Sequence, residues 1–209
     1  MHVVGLTGGI ACGKSTVAGV FREENLSVID LDDISRDSTK KGNWGYRRVL
    51  KAFGEGVLTE DGDGQIDRKK VADLVFNDKA MLSKLNRATH LPITVELARQ
   101  LVVSWLTLKP VVVLDCPLLF EARLERICSS TICVSCSEGE QVERMVGRDG
   151  CTADHARARV RSQMPLEKKR ALSSLVIDTS GISRAASVAR ARDLAQTYKR
   201  KGFFAWIYK

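Results

Sequence analysis

Long apolar runs and dense cysteine are both missing from this sequence. No apolar stretch approaches the roughly 18 residues that a membrane-spanning helix needs, so no transmembrane segment is expected. Six cysteines scattered over 209 residues do not make a disulfide framework, and we expect reduced thiols. The N-terminus also lacks the basic region, apolar stretch and cleavage site of a signal peptide. Together these absences predict a soluble protein of the cytoplasm.

Aromatic residues are few as well, at 6% of the chain, although the formal net charge is +8. Proteins that bind single-stranded nucleic acid interleave aromatic residues with cations so that bases can stack. The basic residues here concentrate between Arg144 and Arg170 and between Arg184 and Lys201, without such interleaving. We therefore expect a small polyanionic substrate and no nucleic-acid partner, with a nucleic-acid-binding ATPase as the alternative from another class.

The start of the chain carries a complete G-x-x-x-x-G-K-[ST] pattern. An apolar run from His2 to Thr7 leads into Gly8-Gly9-Ile10-Ala11-Cys12-Gly13-Lys14-Ser15-Thr16. In this pattern a parallel strand ends at about Thr7, the loop turns its N–H groups inward, and a helix opens at Ser15. The loop is predicted to cradle a polyphosphate, with Lys14 reaching the β- and γ-phosphates and the Ser15 hydroxyl holding Mg²⁺. The alternative is a glycine-rich turn without a ligand.

Two further predicted strands end in acidic residues. The run 26–30 leads into Asp30-Leu31-Asp32-Asp33, and the β-branched run 110–115 ends in Asp115. Ligands of open α/β sheets bind just beyond the carboxyl ends of the strands, so these carboxylates should stand near the phosphate loop. Asp115 is the candidate for holding Mg²⁺ through water.

The acids after the second strand also suggest a base. If strand alternation continues, Asp30 and Asp32 point the same way and Asp33 points the other way. Asp32 is then the candidate that accepts a proton from an attacking hydroxyl, with Asp30 supporting it or the metal. The alternative is that Asp32 or Asp33 caps a helix starting at Ile34.

The stretch between the second and third strands reads mostly as helix. Helical spacing over 47–53 ends at Gly54, Asp67 starts another helix, and two more are expected over 80–87 and 93–106, separated by His90-Leu91-Pro92. Asp61-Gly62-Asp63-Gly64 lacks the ligand spacing of a calcium loop and is predicted to be a turn. Because this stretch is too long for a simple crossover, 34–106 is predicted to be an inserted substrate-binding domain in a core of 1–33, 107–143 and 171–209.

The most cationic segment lies between two further strands, predicted over 130–135 and 175–178. We interpret 144–170 as a lid, in which Arg144 and Arg148 share one helix face and stabilise a γ-phosphoryl group during transfer. The other cations of the segment, from Arg157 to Arg170, are expected to be mostly solvated. Cys133 and Cys136 form a C-x-x-C without a second pair of zinc-type spacing, so they are predicted to be core thiols.

A phosphate loop, acids after the second and third strands and an arginine-bearing segment before the fifth strand describe a small-molecule kinase. A GTPase would carry an N-K-x-D base reader and a D-x-x-G switch after the third strand. Neither is present, because Asp115 is followed by Cys116-Pro117-Leu118. Within the kinase class, a nucleoside or nucleotide kinase is the alternative to the family described next.

The chain resembles the dephospho-coenzyme A kinase family over nearly its full length. The D-x-D after the second strand together with Pro117-Leu118-Leu119-Phe120-Glu121 is more specific than the phosphate loop. Other matching segments are Phe53-Gly54, Ile66-Asp67-Arg68, Val75-Phe76, Leu85-Asn86, Arg159-Val160, Gln163-Met164-Pro165 and Val176-Ile177-Asp178. The sequence departs from the family pattern at Ala11-Cys12, where Gly-Ser is common, at His90-Leu91-Pro92, which has an extra residue, and at Ser173-Ser174 and Thr179.

The resemblance implies a P-loop NTPase fold, with three α/β/α layers on a five-stranded parallel sheet as in nucleoside monophosphate kinases, plus a helical coenzyme-A-binding insertion and a short lid. It implies that ATP, with Mg²⁺, phosphorylates the ribose 3′-hydroxyl of dephospho-coenzyme A. Asp32 would be the base, while Lys14, the loop, Arg144 and Arg148 would hold ATP. Acceptor contacts are expected from Asp32, Arg36, His90, Pro117, Leu118, Leu119, Glu121, Arg159 and Gln163. We expect a monomer or a weak oligomer.

Overall fold

The structure, a computed structural model, describes residues 1–76 and 78–207 and contains a five-stranded sheet. The strands, in the spatial order β2-β3-β1-β4-β5, are β1 (His2–Gly8), β2 (Ser27–Asp30), β3 (Val111–Asp115), β4 (Ser130–Ser135) and β5 (Leu175–Asp178). β1 pairs in parallel with β3 and with β4, and β4 pairs in parallel with β5. The predicted α/β class and the five predicted strands are confirmed.

The chain divides into two compact units. The sheet unit comprises Met1–Ile29 and the residues from Ser104 onward, and the helical unit comprises Asp30–Val103. The α-helices are α1 (Lys14–Glu23), α2 (Leu31–Ser38), α3 (Trp44–Phe53), α4 (Arg68–Phe76), α5 (Lys79–Leu106), α6 (Glu138–Asp149), α7 (Ala153–Arg161), α8 (Leu166–Leu172) and α9 (Arg184–Ile207). Within the described ranges, no helix has the length and apolar character needed to cross a membrane.

The sheet unit is built on strands that are buried on both faces. Every residue of β3 is buried, as expected for a β-branched parallel strand covered by helices. Val17 and Phe21 of α1 and Ala191 and Ala195 of α9 pack into the same apolar cluster as the strands. Because β1 is the central strand, the loop at its carboxyl end lies over the middle of the sheet, where ligands of such sheets bind.

The helical unit has a smaller core, formed by Val49, Val57, Val71 and Ala88. Gly54 ends α3 with φ 76°, a left-handed value that glycine adopts readily. The predicted turn over 61–64 joins Leu58 and Ile66, which pair as an antiparallel bridge. The predicted end of α3 and the predicted turn are both confirmed.

The prediction that His90-Leu91-Pro92 separates two helices is wrong. α5 continues from Lys79 to Leu106 with Pro92 inside it. A proline cannot donate a hydrogen bond to the carbonyl four residues earlier, which here belongs to Ala88. The Arg48 side chain supplies a donor instead, since its Nε lies 2.9 Å from Ala88 O and its Nη2 lies 2.9 Å from Arg87 O. A side chain of α3 therefore stabilises the helix across its proline.

Candidate active site

The loop between β1 and α1 folds as its motif predicts. β1 ends at Gly8 and α1 begins at Lys14, preceded by Gly13 at φ 91°. Gly9 approaches α6 so closely that a Cβ on it would lie 2.6 Å from Gln141 Nε2. Because the loop leads into the N-terminus of α1, the first amide groups of the helix and the positive end of its dipole favour a phosphate there.

Side chains from outside the loop hold its polar backbone groups. Gln141 Nε2 donates to Ile10 O at 2.7 Å, and the Ile10 N–H donates to Gln163 Oε1 at 3.1 Å. Thr179 Oγ1 donates to Cys12 O at 3.0 Å. A carbonyl oxygen that faced a phosphate would repel it. Fixing the carbonyls to outside donors leaves the remaining loop amides available for the concave nest that binds anions.

Lys14 meets the acid at the end of β3. Its Nζ lies 2.6 Å from Asp115 Oδ1, and the side chains of Lys14 and Asp115 are only 18% and 3% exposed. Asp115 lies opposite Leu6 in the parallel pair of β1 with β3, beside the strand that enters the loop. Little water screens the two charges, which strengthens their attraction. The predicted phosphate-binding lysine and the predicted Mg²⁺ ligand are thus in direct contact.

Arg144 lies against the loop. It is on α6, as predicted, and its Nη1 is 3.4 Å from Ala11 O. Its guanidinium also donates to the Thr179 carbonyl at 3.1 Å and pairs with Glu140 at 3.1 Å. Arg144 is therefore held beside the loop by several partners and adds positive charge there.

Arg148 shares α6 with Arg144 but has a different partner. Its Nε lies 2.7 Å from Asp149 Oδ1, and Arg159 approaches the other oxygen of the same carboxylate at 2.8 Å. The hydrogen bond from Arg148, assisted by the one from Arg159, lowers the pKa of Asp149 to about 2. Two predicted site residues, Arg148 and Arg159, are thus brought together on Asp149, which the sequence interpretation did not include.

Lys169 binds two groups of the segment that follows β3. Its side chain is fully buried, and its Nζ lies 2.7 Å from Pro117 O and 2.9 Å from Glu121 Oε1. Thr7 Oγ1 also donates to Pro117 O at 3.0 Å. The expectation of a solvated cation is wrong for Lys169, because a carboxylate and a carbonyl offset the cost of burying its ammonium group.

The predicted acceptor contacts next to Pro117 differ in exposure. The Leu118 side chain is 48% exposed, whereas Leu119 is fully buried and packs beside Gly5, where a Cβ would lie 2.6 Å from Leu119 Cδ2. Glu121, besides its pair with Lys169, accepts from the Met164 N–H at 3.3 Å. Of the two leucines, Leu118 is the one that presents its side chain to solvent.

The acids after β2 are arranged differently from the prediction. α2 begins at Leu31, so strand alternation stops at Asp30 and does not extend to Asp32. The Asp30 carboxylate caps the helix by accepting from the N–H groups of Asp32, at 2.9 Å, and Asp33, at 3.3 Å. The alternative prediction, a helix from Ile34 capped by Asp32 or Asp33, is wrong as well, because Asp30 already terminates the strand and starts the helix.

The remaining predicted site residues of the helical unit lie on its surface. Asp32 is exposed on the first turn of α2, and Asp33 forms an ion pair with Arg36 one turn later. His90 is exposed on α5, and its carbonyl accepts from Thr94 Oγ1 at 2.8 Å. Asp32 and His90 therefore each present their side chains to solvent.

Three residues that anchor the site were not predicted as anchors. Thr179 follows β5 directly, at the carboxyl end of a strand, and that position alone could have suggested a site role. Gln141 and Met145 are buried four residues apart on α6, so helical periodicity places Gln141 on the inner face. Lys169 lies in a run of cations, and no local pattern distinguishes it from its neighbours.

Known proteins share this architecture. A family model described as dephospho-CoA kinase matches residues 2–184. A dephospho-CoA kinase of Carboxydothermus hydrogenoformans is 42% identical over 183 residues, 87% of this chain and 87% of that protein. One of Bacillus anthracis is 40% identical over 179 residues, 86% of this chain and 88% of the relative.

Solved structures of other proteins have a similar fold. A crystal structure of a Thermus thermophilus protein superposes with a TM-score of 0.77 at 31% identity and covers 94% of this chain and 96% of its own. A dephospho-CoA kinase of Campylobacter jejuni superposes with a TM-score of 0.66 at 23% identity, covering 94% and 97%, which supports the fold alone. Since the family match extends from β1 to the first residue of α9 and so includes the anchored phosphate loop, the chain belongs to the dephospho-CoA kinase family.

Proposed function

We propose that this protein transfers the γ-phosphate of ATP to the ribose 3′-hydroxyl of dephospho-coenzyme A, which gives ADP and coenzyme A in the final step of coenzyme A biosynthesis. The observation that carries the proposal is the anchored phosphate loop, with Lys14 against Asp115, in a chain whose relatives are named dephospho-CoA kinase. A loop of this kind binds a polyphosphate. The acceptor hydroxyl needs a base to take its proton when it attacks the γ-phosphate.

ATP binding is assigned to the loop and the cations beside it. The loop amides and the N-terminus of α1 surround the β- and γ-phosphates, and Lys14 exchanges Asp115 for a phosphate oxygen when ATP binds. Arg144 adds charge from its position beside Ala11. Arg148 must leave Asp149 to reach a phosphate, and we assign that movement to a lid over 144–170, which contains the end of α6, all of α7 and the first part of α8.

Ser15 and Asp115 are the proposed holders of Mg²⁺. A hydroxyl on the first turn of α1 and a buried carboxylate are the hard oxygen donors that this ion prefers, and Mg²⁺ commonly keeps several of its waters. Among the described residues, no group of three or more histidine, cysteine or acidic side chains could hold a metal. Side chains of this kind therefore do not supply a complete coordination shell for the ion. When bound, Mg²⁺ would neutralise charge on the phosphates.

Asp32 is the proposed general base. Its carboxylate is exposed on the first turn of α2, where it can accept the proton of the 3′-hydroxyl. Within the helical unit, a cavity of about 370 Å³ is bordered by Ile34, Trp44, Pro92 and Val95. Its volume and its mixture of apolar and polar walls suit a small-molecule ligand, and we assign it to the acceptor.

The test uses purified protein and Mg-ATP in separate reactions with dephospho-coenzyme A, adenosine, AMP or uridine, followed by mass spectrometry. We expect one phosphate to be added to dephospho-coenzyme A alone. Preference for a nucleoside or nucleotide would overturn the acceptor assignment and retain phosphoryl transfer. No phosphorylation of any acceptor would overturn the kinase assignment, and salt-dependent binding to DNA or RNA would then favour the nucleic-acid-binding ATPase.

A further inference from the structure

Two cysteines meet beneath the phosphate loop. Cys12 lies within the loop and Cys136 follows β4 directly, and their Sγ atoms are 3.2 Å apart. Both residues are buried, at 0% and 4% exposure, and both thiols are free. Because 124 residues separate them along the chain, only the fold brings them together.

The backbone holds the two cysteines in this position. Thr179 Oγ1 lies 3.0 Å from Cys12 O and 3.0 Å from Ser135 O, so one hydroxyl connects Cys12 to the residue before Cys136. The Thr179 N–H also donates to Ser135 O at 2.8 Å. A disulfide needs an S–S distance of about 2.05 Å, so the sulfurs have only about 1 Å to travel.

The two sulfurs differ in reactivity. The hydrogen bond with Cys12 lowers the pKa of Cys136, and the nearby positive charge of Arg144 acts in the same direction. The same hydrogen bond, together with burial, raises the pKa of Cys12. Since the thiolate is the nucleophile, Cys136 is the sulfur that reacts first. It also borders a cavity of about 610 Å³ in the sheet unit, which gives a small reagent a route to it.

We propose that Cys12 and Cys136 form a peroxide-oxidisable pair whose disulfide disables the phosphate loop. The Cys136 thiolate attacks one oxygen of hydrogen peroxide, breaks the O–O bond and becomes a sulfenic acid, and the released hydroxide takes a proton to give water. The Cys12 sulfur, after losing its proton, then attacks the Cys136 sulfur and displaces the second hydroxide as water. In total, two thiols lose two electrons and two protons, and one peroxide becomes two waters.

The disulfide would act on ATP binding. Cys12 lies between Ala11, whose φ is 59°, and Gly13, whose φ is 91°, so the loop backbone around it already has a specialised conformation. Drawing the Cys12 side chain toward β4 shifts this backbone and turns the loop amides away from the phosphates. This consequence rests on the proposed function, because it assumes that the loop binds ATP. The formation of the bond itself does not depend on that assumption.

The experiment oxidises the full-length reduced protein with hydrogen peroxide, blocks remaining thiols by alkylation and maps peptides without reductant. ATP affinity is measured in parallel by calorimetry. We expect a linked peptide containing Cys12 and Cys136, an ATP affinity lowered at least about tenfold, and recovery of affinity with dithiothreitol. Cys136→Ser should bind ATP normally and keep its affinity after peroxide, whereas Cys151→Ser, a control at another free cysteine, should lose affinity as the wild type does.

Several outcomes would overturn the proposal. Alkylation of both Cys12 and Cys136 after peroxide treatment would exclude the bond. A linked peptide with unchanged ATP affinity would exclude its effect on the loop. If Cys136→Ser fails to fold, the wild-type peptide map and affinity still decide the matter. A failure of the acceptor assignment would be seen separately, as phosphorylation of another acceptor by the reduced protein.

Discussion

The sheet unit and the helical unit are stabilised in different ways. In the sheet unit, buried strands and the helices over them form an extended apolar cluster that includes Leu6, Phe21 and Ile132. The apolar cluster of the helical unit is smaller and centres on Val49 and Val57. Full burial of one large apolar side chain contributes about 1.5–3 kcal/mol, so the sheet unit has the larger hydrophobic stabilisation.

Polar side chains add further connections between segments of the helical unit. Besides Arg48, Tyr46 Oη donates to Gly64 O at 2.6 Å, and Lys70 Nζ donates to Leu58 O at 3.1 Å. Each bond of this kind contributes about 0.5–1.5 kcal/mol net. The comparison indicates that the helical unit, with its smaller apolar cluster, has the lower local stability. We therefore expect the helical unit to open locally at a lower cost in free energy than the sheet unit.

The largest expected effect concerns the proposed general base, which belongs to the helical unit. Asp32→Asn keeps the shape of the side chain and removes the proposed proton acceptor, so turnover should fall at least about a hundredfold while ATP still binds. Asp73→Asn is the matched control, because Asp73 is also exposed on a helix of the helical unit and is not among the predicted site residues. Steady-state kinetics and ATP calorimetry provide the measurement. Near-normal turnover of Asp32→Asn would remove it from the role of base.

Lys169 tests whether the sheet unit also depends on a polar residue. Lys169→Met leaves Pro117 O without its ammonium donor and Glu121 without its charge partner, which should lower the free energy of unfolding by about 2–3 kcal/mol. Lys168→Met, at the exposed neighbouring position, should change it by less than about 0.5 kcal/mol. Urea unfolding of both variants decides the matter. Equal effects would mean that burial of Lys169 contributes nothing to stability.

The elements that sequence could predict are those whose cause is local. The phosphate loop and β3 follow from patterns within a few residues, and both are where they were expected. Lys169 could not be predicted, because its burial depends on Pro117, which is 52 residues away. The helix across Pro92 depends in the same way on Arg48, 40 residues from Ala88. Asp30 was missed for another reason, since a carboxylate that ends a strand can also cap the next helix.

Arg48 offers a direct test of the polar connections in the helical unit. Arg48→Met removes both donors to α5 and should lower the free energy of unfolding by about 1.5–2 kcal/mol. Arg47→Met, exposed and with a single long contact of 3.4 Å, should have a much smaller effect. In a Pro92→Ala background, an N–H again reaches Ala88 O, so the cost of losing Arg48 should shrink. Equal costs in both backgrounds, measured by urea unfolding, would contradict the compensation.

Ala11 tests the strain stored in the loop of the sheet unit. Its φ of 59° is left-handed, which costs an alanine about 1–2 kcal/mol relative to ordinary geometry. Ala11→Gly removes that cost and adds chain entropy to the unfolded state, so we expect a net gain of about 0.5–1 kcal/mol in unfolding free energy. Ala158→Gly, on the exposed side of α7, should instead lose about 1 kcal/mol. A loss at both positions in thermal unfolding would contradict the left-handed conformation of Ala11.

The smallest expected effects come from exposed ion pairs, which should behave alike in the two units. Arg148 lowers the pKa of Asp149 from 3.8 to about 2, and Arg99 lowers the pKa of Glu96 from 4.5 to about 2. A lowered pKa means that the ionised form stabilises the folded state above the usual pKa and that this contribution disappears as the pH falls through about 4 to 2. Solvent screens both pairs, so the contributions are small. In urea unfolding, the stability differences of Asp149→Asn and Glu96→Gln from the wild type should be constant above about pH 5 and vanish near pH 2. A difference that persists at pH 2 would have to come from packing and would contradict an electrostatic origin of the effect at that position.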